Sequence, residues 1–573
     1  MACSKCSFRE NTFHPNYLMF NPDACVDCKQ VFQKIEEIGP LSIRAYSYNL
    51  HGQILFSNYE DFKKIIADVV QRTGKTGQVF TEKDDILVSL SHFIGSLVVD
   101  LQNLLQKNLS VSTLSLLTIL EYNTFLTSVH MMWFLHTYKK NIETDAAPDQ
   151  LGKFLIEYLN QLKDINDELC RSTYLKIQSS IAHDKAAFQL AFKICSKLSN
   201  YSTNDDLFNT IDEGNIIQII RISRAIQYLI DYLERIQDGI IELTTMNCDD
   251  SGFLHFLLNE QSKGEQMIYA DNFIDSMGGD FVSGKPDNVS TQINKISRKY
   301  IGFSTEQLAK LSEKLFETYS NGDEYLVGSI EYFQELIQFL LQGSQIQSQK
   351  LIEHLTHIKG PTEFSWFVNR PLRRSLIPVY KNIIACPVNV FQYSIMGLYS
   401  DILSNEVDHP DFFKDLQKYK ERIDNQFEQA VCLHLNILIP NAKAIWNVNS
   451  CQIPIVGTKN KLVLPGQVDV IMIHENKVFV IECKNFAYRL SSKQMLSELR
   501  KFRKEELKLG LKAEIIEKNV ASIAAFMGLP TYISYEIVCI FVTKNYTFST
   551  ARGEGKYPII PIDNLINWMD INL

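Results

Sequence analysis

Asp469, Glu482 and Lys484 are the residues of this chain whose types and spacing point most directly to chemistry. They stand in Gly466-Gln467-Val468-Asp469-Val470-Ile471 and in Val478-Phe479-Val480-Ile481-Glu482-Cys483-Lys484-Asn485. Both stretches read as β-strands, and the polar step His474-Glu475-Asn476-Lys477 between them reads as the turn of a hairpin. Side chains alternate faces along a strand, so Glu482 and Lys484 point one way and Cys483 the other. Pairing the strands brings Asp469 beside Glu482. Two carboxylates and one ammonium then meet at the end of an apolar hairpin, where acids are seldom buried without a reason. Oxygen donors of this kind suit a hard divalent cation, Mg²⁺ or Mn²⁺. A lysine beside such an ion can orient an attacking water or assist its deprotonation.

The segment resembles the PD-(D/E)xK nuclease superfamily, and within it the nuclease-related-domain and restriction-endonuclease-like branches. Asp469 matches the isolated acid, and Glu482-Cys483-Lys484 matches the ExK element; the run from Phe479 to Phe486 is the most family-like piece. Val468 stands where the motif has its proline, a position that varies widely in the family. The resemblance covers residues 411–573 and says nothing specific about the rest. It implies a helix, a three-stranded meander, a second helix and a further strand. It also implies metal-dependent hydrolysis of a phosphodiester bond leaving a 5′-phosphate, with Asp469, Glu482 and the Cys483 carbonyl as ligands of Mg²⁺. A further acid is expected on the first helix, and Glu428 in Asn425-Gln426-Phe427-Glu428 is the candidate. Gln494 is a weak match to a glutamine that some members carry on the second helix. DNA is the implied substrate, with RNA as the alternative, and defence against foreign DNA is the implied setting.

The surrounding sequence supplies elements in that order. Leu416, Tyr419, Ile423, Phe427, Val431, Leu435 and Leu438 recur at three- and four-residue steps, the pattern of an amphipathic helix. Residues 444–448 read as a short strand ahead of the hairpin. Ser491 and Ser492 offer an N-cap to a helix over 493–509, which Gly510 is expected to stop. Residues 536–542, apolar and β-branched, read as a buried strand. Arg489, Lys493, Arg500, Lys501, Arg503, Lys504, Lys508 and Lys512 follow the motif, offset in part by Glu498, Glu505 and Glu506. Arg500, Lys504 and Lys508 are spaced to share one helix face that could track phosphates. The whole chain carries a net charge of −9, so any nucleic-acid surface must be a local patch.

A second constellation lies at the other end. Cys3-x₂-Cys6 and Cys25-x₂-Cys28 form two knuckles that suit a tetrahedral Cys₄ zinc site, structural because four thiolates leave no open position. His14 lies between them and could substitute for one cysteine, although it reads first as a surface residue. The other eight of the twelve cysteines are scattered singly, as in a reducing compartment.

Length and pattern frame these sites. The 573 residues suffice for several domains, and the composition is that of a globular protein. The expected organisation is multidomain α+β: a zinc-binding module with short strands at 1–80, an α-helical domain at 81–358, a connecting subdomain at 359–410 and an α/β restriction-endonuclease-like core at 411–573. Helices are expected near 59–70, 86–107, 113–138, 150–170, 216–241, 306–315 and 388–403, and a strand pair within 41–56. The stretch 114–138 contains Glu121, Asn123 and His130, so it reads as a buried helix rather than a membrane span. Gly74-Lys75-Thr76 lacks the glycine pattern of a phosphate-binding loop, which argues against an ATP motor. No signal peptide is read at the start, and a soluble cytoplasmic protein without a membrane partner is expected. His183-Asp184 reads as a solvated helix pair, and Arg373 and Arg374 as exposed linker residues. The helical region carries no catalytic motif. It suits regulation, a protein partner or homo-oligomerisation, and a scaffold with a silent nuclease fold is the rival reading.

Overall fold

The computed structural model describes residues 26–38, 61–107, 109–139, 150–198, 213–237, 239–259, 287–318, 325–341, 345–357, 371–380, 383–404, 410–485, 492–553 and 555–573. The chain is a mixed helix-and-sheet protein. Its described residues fall into two compact units, one within Met1–Leu233, Thr244–Leu257 and Ile293–Phe413, the other within Glu234–Leu243, Leu258–Gln292 and Lys414–Leu573.

The first unit is built on long helices, among them Lys83–Lys107, Leu109–Lys139, Asp167–Leu198 and Glu213–Gln237. Leu109–Lys139 is apolar on nearly every side, and such a helix belongs in an interior. Its buried Glu121 accepts a hydrogen bond from Asn389 Nδ2 (3.0 Å), and Asn123 Nδ2 donates to the Ile181 carbonyl (3.2 Å), while Asn123 Oδ1 has no partner among the described residues. No helix among the described residues is long and apolar enough to cross a membrane. Two small sheets interrupt the helical pattern. Val79–Phe80 pairs with Leu243–Cys248, which pairs on with Leu254–Leu258; the helix expected to reach residue 241 ends at Gln237, ahead of Gly239 at φ 69°. The second sheet joins Tyr325–Gly328 to Ile383–Pro387 and Ile377–Tyr380. The last two strands lie in the segment expected to form a separate connecting subdomain. Pairing with Tyr325–Gly328 instead makes that segment part of the helical unit.

The second unit carries the hairpin. Its elements are α1 (Pro410–Leu438, in this unit from Lys414), β1 (Lys443–Val448), β2 (Val468–His474), β3 (Lys477–Lys484), α2 (Ser492–Lys518), α3 (Val520–Phe526), β4 (Glu536–Thr543), α4 (Phe548–Arg552), β5 (Ile559–Pro561) and α5 (Ile562–Asn572). The sheet runs β5-β4-β3-β2-β1: β1, β2 and β3 form an antiparallel meander, and β4 and β5 add in parallel. Glu475 and Asn476 make a two-residue turn between β2 and β3, with Glu475 at φ 50° in the left-handed region such tight turns use.

Alternation along the strands divides the core into two layers. Val470, Met472, Phe479, Ile481, Cys483, Ile540 and Val542 face Phe427, Val431 and Leu435 of α1 and Leu565 and Met569 of α5. Ile471, Ile473, Val478, Val480, Cys539 and Phe541 face Phe502, Leu509 and Ile516 of α2. A sheet covered on both faces explains why β2, β3 and β4 are continuously apolar. The α1 stripe ends differently from what its spacing suggests, because Leu438 is exposed and Ile439 takes the buried place.

Gly510 does not stop α2. The helix passes it and runs on to Lys518, and a Cβ at Gly510 would lie 3.1 Å from the Tyr557 hydroxyl, so a close approach accounts for the glycine. At the far end of β4, Thr547 caps α4: its side chain accepts from the Thr550 amide at 3.1 Å. The α4 amide of Ser549 in turn donates to the buried Glu498 of α2 at 2.9 Å. Thr547→Ala is expected to lower stability by about 1 kcal/mol, the usual worth of an N-cap. Urea denaturation of the two proteins checks it, and an unchanged midpoint would remove the cap from the account.

Candidate metal and phosphodiester site

The strand register brings the sequence-expected trio together. Val470 pairs with Ile481, so the next residues outward, Asp469 and Glu482, face each other across β2 and β3. Asp469 Oδ2 accepts from the Cys483 amide at 2.7 Å, which fixes the carboxylate against the β3 backbone. Glu482 Oε2 lies 3.3 Å from Lys484 Nζ. Asp469, Glu482 and Glu428 are each less than a tenth exposed. Glu428 reaches in from α1 and accepts from Gln467 Nε2 at 2.9 Å, so it belongs to the site and not to the solvated face of its helix. One turn earlier on α1, Asp424 accepts from Asn485 Nδ2 at 3.3 Å. The Cys483 side chain points the other way, into the α1 layer, and burial first, then the neighbouring carboxylates, push its thiol well up. Only its main chain is at the site.

Two residues that sequence reasoning did not assign complete the arrangement, both from α2. Glu505 Oε2 lies 3.3 Å from Lys484 Nζ, and its Oε1 lies 2.6 Å from Lys508 Nζ. Lys512 bonds Glu482 Oε1 and is only 6% exposed, which removes it from the basic surface patch where its neighbours placed it. Phe502, Glu505, Leu509, Lys512 and Ile516 recur at three- and four-residue steps and form the inward stripe of α2. Charged residues interrupting such a stripe are the signal that could have found them.

The electrostatics follow from crowding. Burial first, then the charges of Asp469, Asp424 and Glu482, push the Glu428 carboxyl up to about 8, against the pull of Lys484. Burial and then Glu482 hold Asp469 well above the usual carboxylate range, although Lys484, the Cys483 amide and Lys512 oppose the shift. For Lys484 burial pulls the pKa down, but Glu482, Asp469 and Glu505 outweigh it and the ammonium holds its proton more tightly than usual. For Glu505, burial is outweighed by Lys508 and Lys484, and its pKa falls. Two lysines therefore do not neutralise the acids gathered here.

Does this set fit a divalent cation? The donors are oxygens, which a hard cation prefers. Asp469 Oδ1 and Glu428 Oε1 have no hydrogen-bond partner among the described residues. The raised carboxyls show room for positive charge. Among the described residues no three His, Cys, Asp or Glu side chains are gathered closely enough to cage an ion alone. Mg²⁺ does not require that, since it is usually held by one or two carboxylates and fills its remaining positions with water or substrate. The residues fit. Thr543, the register partner of Lys484 on β4, is fully buried, and its hydroxyl has no hydrogen-bond partner among the described residues.

Other sequence readings fall elsewhere. Cys3, Cys6, Cys25, His14 and the strand pair within 41–56 lie outside the described residues, and Cys28 stands in the first turn of the helix Val26–Ile38 with its side chain not described. Arg489 is likewise outside, as are the side chains of Lys493 and Gln494. Arg500, Lys504 and Lys508 are exposed on α2. His183 and Asp184 are not solvated: Arg224 Nε lies 2.5 Å from the buried Asp184, and His183 Nδ1 lies 3.2 Å from Asp231. Arg373 and Arg374 are not exposed linker residues either. Arg373 pairs with Asp401 at 2.8 Å, and Arg374 donates to the Glu353 and Thr356 carbonyls. Groups distant along the chain pair with these residues, which local sequence does not foretell.

Comparison with protein-family models, with curated proteins and with solved structures finds no match.

Proposed function

We propose that the second unit is a metal-dependent phosphodiesterase acting on nucleic acid, a DNA endonuclease of the PD-(D/E)xK type. The observation that carries this reading is the convergence of Asp469, Glu482, Glu428 and Lys484 at one end of a meander inside an αβββαβ order of elements. Asp469, Glu482 and the Cys483 carbonyl would hold Mg²⁺ or Mn²⁺, with Glu428 closing the shell directly or through water. When bound, such an ion activates water and offsets the negative charge of a reacting phosphate. The remaining roles fall to the chain's own groups. Lys484 would orient the attacking water and offer a positive charge to the phosphate, or assist the water's deprotonation. Glu505 holds Lys484 in that position. Gln467 fixes the Glu428 carboxylate. The Cys3, Cys6, Cys25 and Cys28 zinc module is proposed on its spacing alone, and the helical unit as the part that regulates cutting or meets partners.

Incubation of the full chain with supercoiled plasmid and Mg²⁺ or Mn²⁺ tests the reading: nicking or linearisation supports it. A protein that binds neither ion and leaves both plasmid and RNA intact is the silent scaffold instead. RNA cleavage without DNA cleavage corrects the substrate but keeps the site.

The exposed basic residues of α2 make a separate claim. Reversing Arg500 and Lys504 to Glu is expected to weaken binding of a short duplex roughly tenfold or more. The slope of log K against log salt should fall by about 0.9 for each phosphate that is no longer neutralised. Titrations in Ca²⁺ at several salt concentrations check both. An unchanged slope would mean this face does not meet the phosphates.

A further inference from the structure

Lys512 has no place in the sequence motif, yet it is the most deeply committed cation of the site. Burying an ammonium is costly unless it is paired. Its pair is Glu482 Oε1, while Lys484 takes Glu482 Oε2. Each oxygen of the expected metal ligand therefore carries one ammonium. The Lys512 stem runs past Gly466, where a Cβ would lie 3.9 Å from Lys512 Cε and the backbone sits at φ 130°, a conformation that favours glycine. The polypeptide leading into β2 thus leaves a lane for this side chain. With Glu505 on Lys484, the chain of charges alternates Glu505, Lys484, Glu482, Lys512. All of these residues come from β3 and α2.

We propose that Lys512 is a built-in counter-cation: it holds Glu482 while no divalent ion is bound, and it sets how tightly the site takes that ion. The inference rests on the metal-site reading above. A divalent cation approaching Glu482 meets an ammonium already on the carboxylate. It must displace that group or share the carboxylate with it, and in either case it works against a like charge at close range. Lys512 therefore keeps the empty site folded and weakens cation binding.

The test uses the full-length protein with Mn²⁺ as probe, its affinity read by electron paramagnetic resonance and its stability by thermal unfolding. Wild type, Lys512→Met, Lys512→Gln, Lys512→Arg and Asp469→Asn are compared. Removing the charge in Lys512→Met or Lys512→Gln should tighten Mn²⁺ binding by about tenfold or more, the scale on which a neighbouring charge shifts an ionic equilibrium. The same variants should melt below wild type in chelator, and saturating Mn²⁺ should close that gap. Lys512→Arg keeps the charge and should stay within a few-fold of wild type. Lys512→Gln keeps a donor to Glu482, which guards against a methionine variant that fails to fold. Unchanged or weaker Mn²⁺ binding in both neutral variants overturns the proposal and leaves Lys512 a structural ion pair. If wild type binds no Mn²⁺, or Asp469→Asn binds it equally well, the metal-site reading fails and this inference falls with it.

Discussion

Asp469→Asn is expected to abolish Mg²⁺-dependent cleavage, by at least about 10³-fold, which is about 4 kcal/mol of transition-state stabilisation. The substitution is nearly isosteric. An amide oxygen can still accept from the Cys483 amide, so the link between β2 and β3 survives. What disappears is the negative charge. Because burial and Glu482 already hold this carboxyl well above its usual range, the neutral side chain suits the metal-free fold better than the ionised one. The variant should therefore be as stable as wild type in chelator near pH 8, or more so, while its activity is gone. Stability and activity moving in opposite directions is the signature of a site whose strain serves chemistry. Plasmid cleavage and thermal unfolding on the same preparations check it. A folded variant that keeps a tenth of the wild-type rate would remove Asp469 from the chemistry, and a variant that unfolds would make it a structural residue.

The parts of this site that could be read from sequence are those whose information is local. Strand alternation places Glu482 and Lys484 together and Cys483 apart, and a short polar turn fixes the register that adds Asp469. The helices before and after the hairpin announce themselves by periodic apolar residues. Glu428 is half legible: it borders the apolar stripe of α1, but only its bond with Gln467 tells a buried acid from a solvated one. Glu505 and Lys512 are hidden by their surroundings, since a run of charges reads as a solvated face unless the inward stripe is followed through it. Gly510 misleads for a related reason. A glycine in a helical pattern reads as a stop, and its true cause, the Tyr557 hydroxyl, lies far along the chain. The small sheet of the first unit is lost to distance as well: Tyr325–Gly328 pairs with Ile383–Pro387 across a long intervening stretch, and four residues announce no partner. Short β5, preceded by Pro558 and ending at Pro561, gives almost no signal of its own.

The same crowding makes metal-free stability depend on pH in a direction opposite to that of an ordinary salt-bridged acid. Glu428 titrates at about 8 in the folded chain and in the ordinary glutamate range when unfolded. Between those values the folded state holds a proton that the unfolded state has released, so stability falls as pH rises through the window. Each such group contributes a slope of at most about 1.4 kcal/mol per pH unit, and Asp469 adds to the fall in the same direction. Glu505, held below its usual range by Lys508 and Lys484, acts the other way, but only in the acid range below that window. Comparison with Glu428→Gln isolates the term. The two proteins should have nearly equal stability near pH 4.5 in chelator, and the glutamine variant should be more stable by about 2–4 kcal/mol at pH 8. Added Mg²⁺ or Mn²⁺ favours the ionised carboxylates, so it should raise wild type at pH 8 far more than Glu428→Gln and flatten the wild-type profile. Urea denaturation across pH 4.5–8, with chelator and with metal, gives both curves. A wild-type profile that rises with pH in chelator, or a gap to Glu428→Gln that metal does not narrow, would mean that the acids at this strand end are not held in wait for a cation.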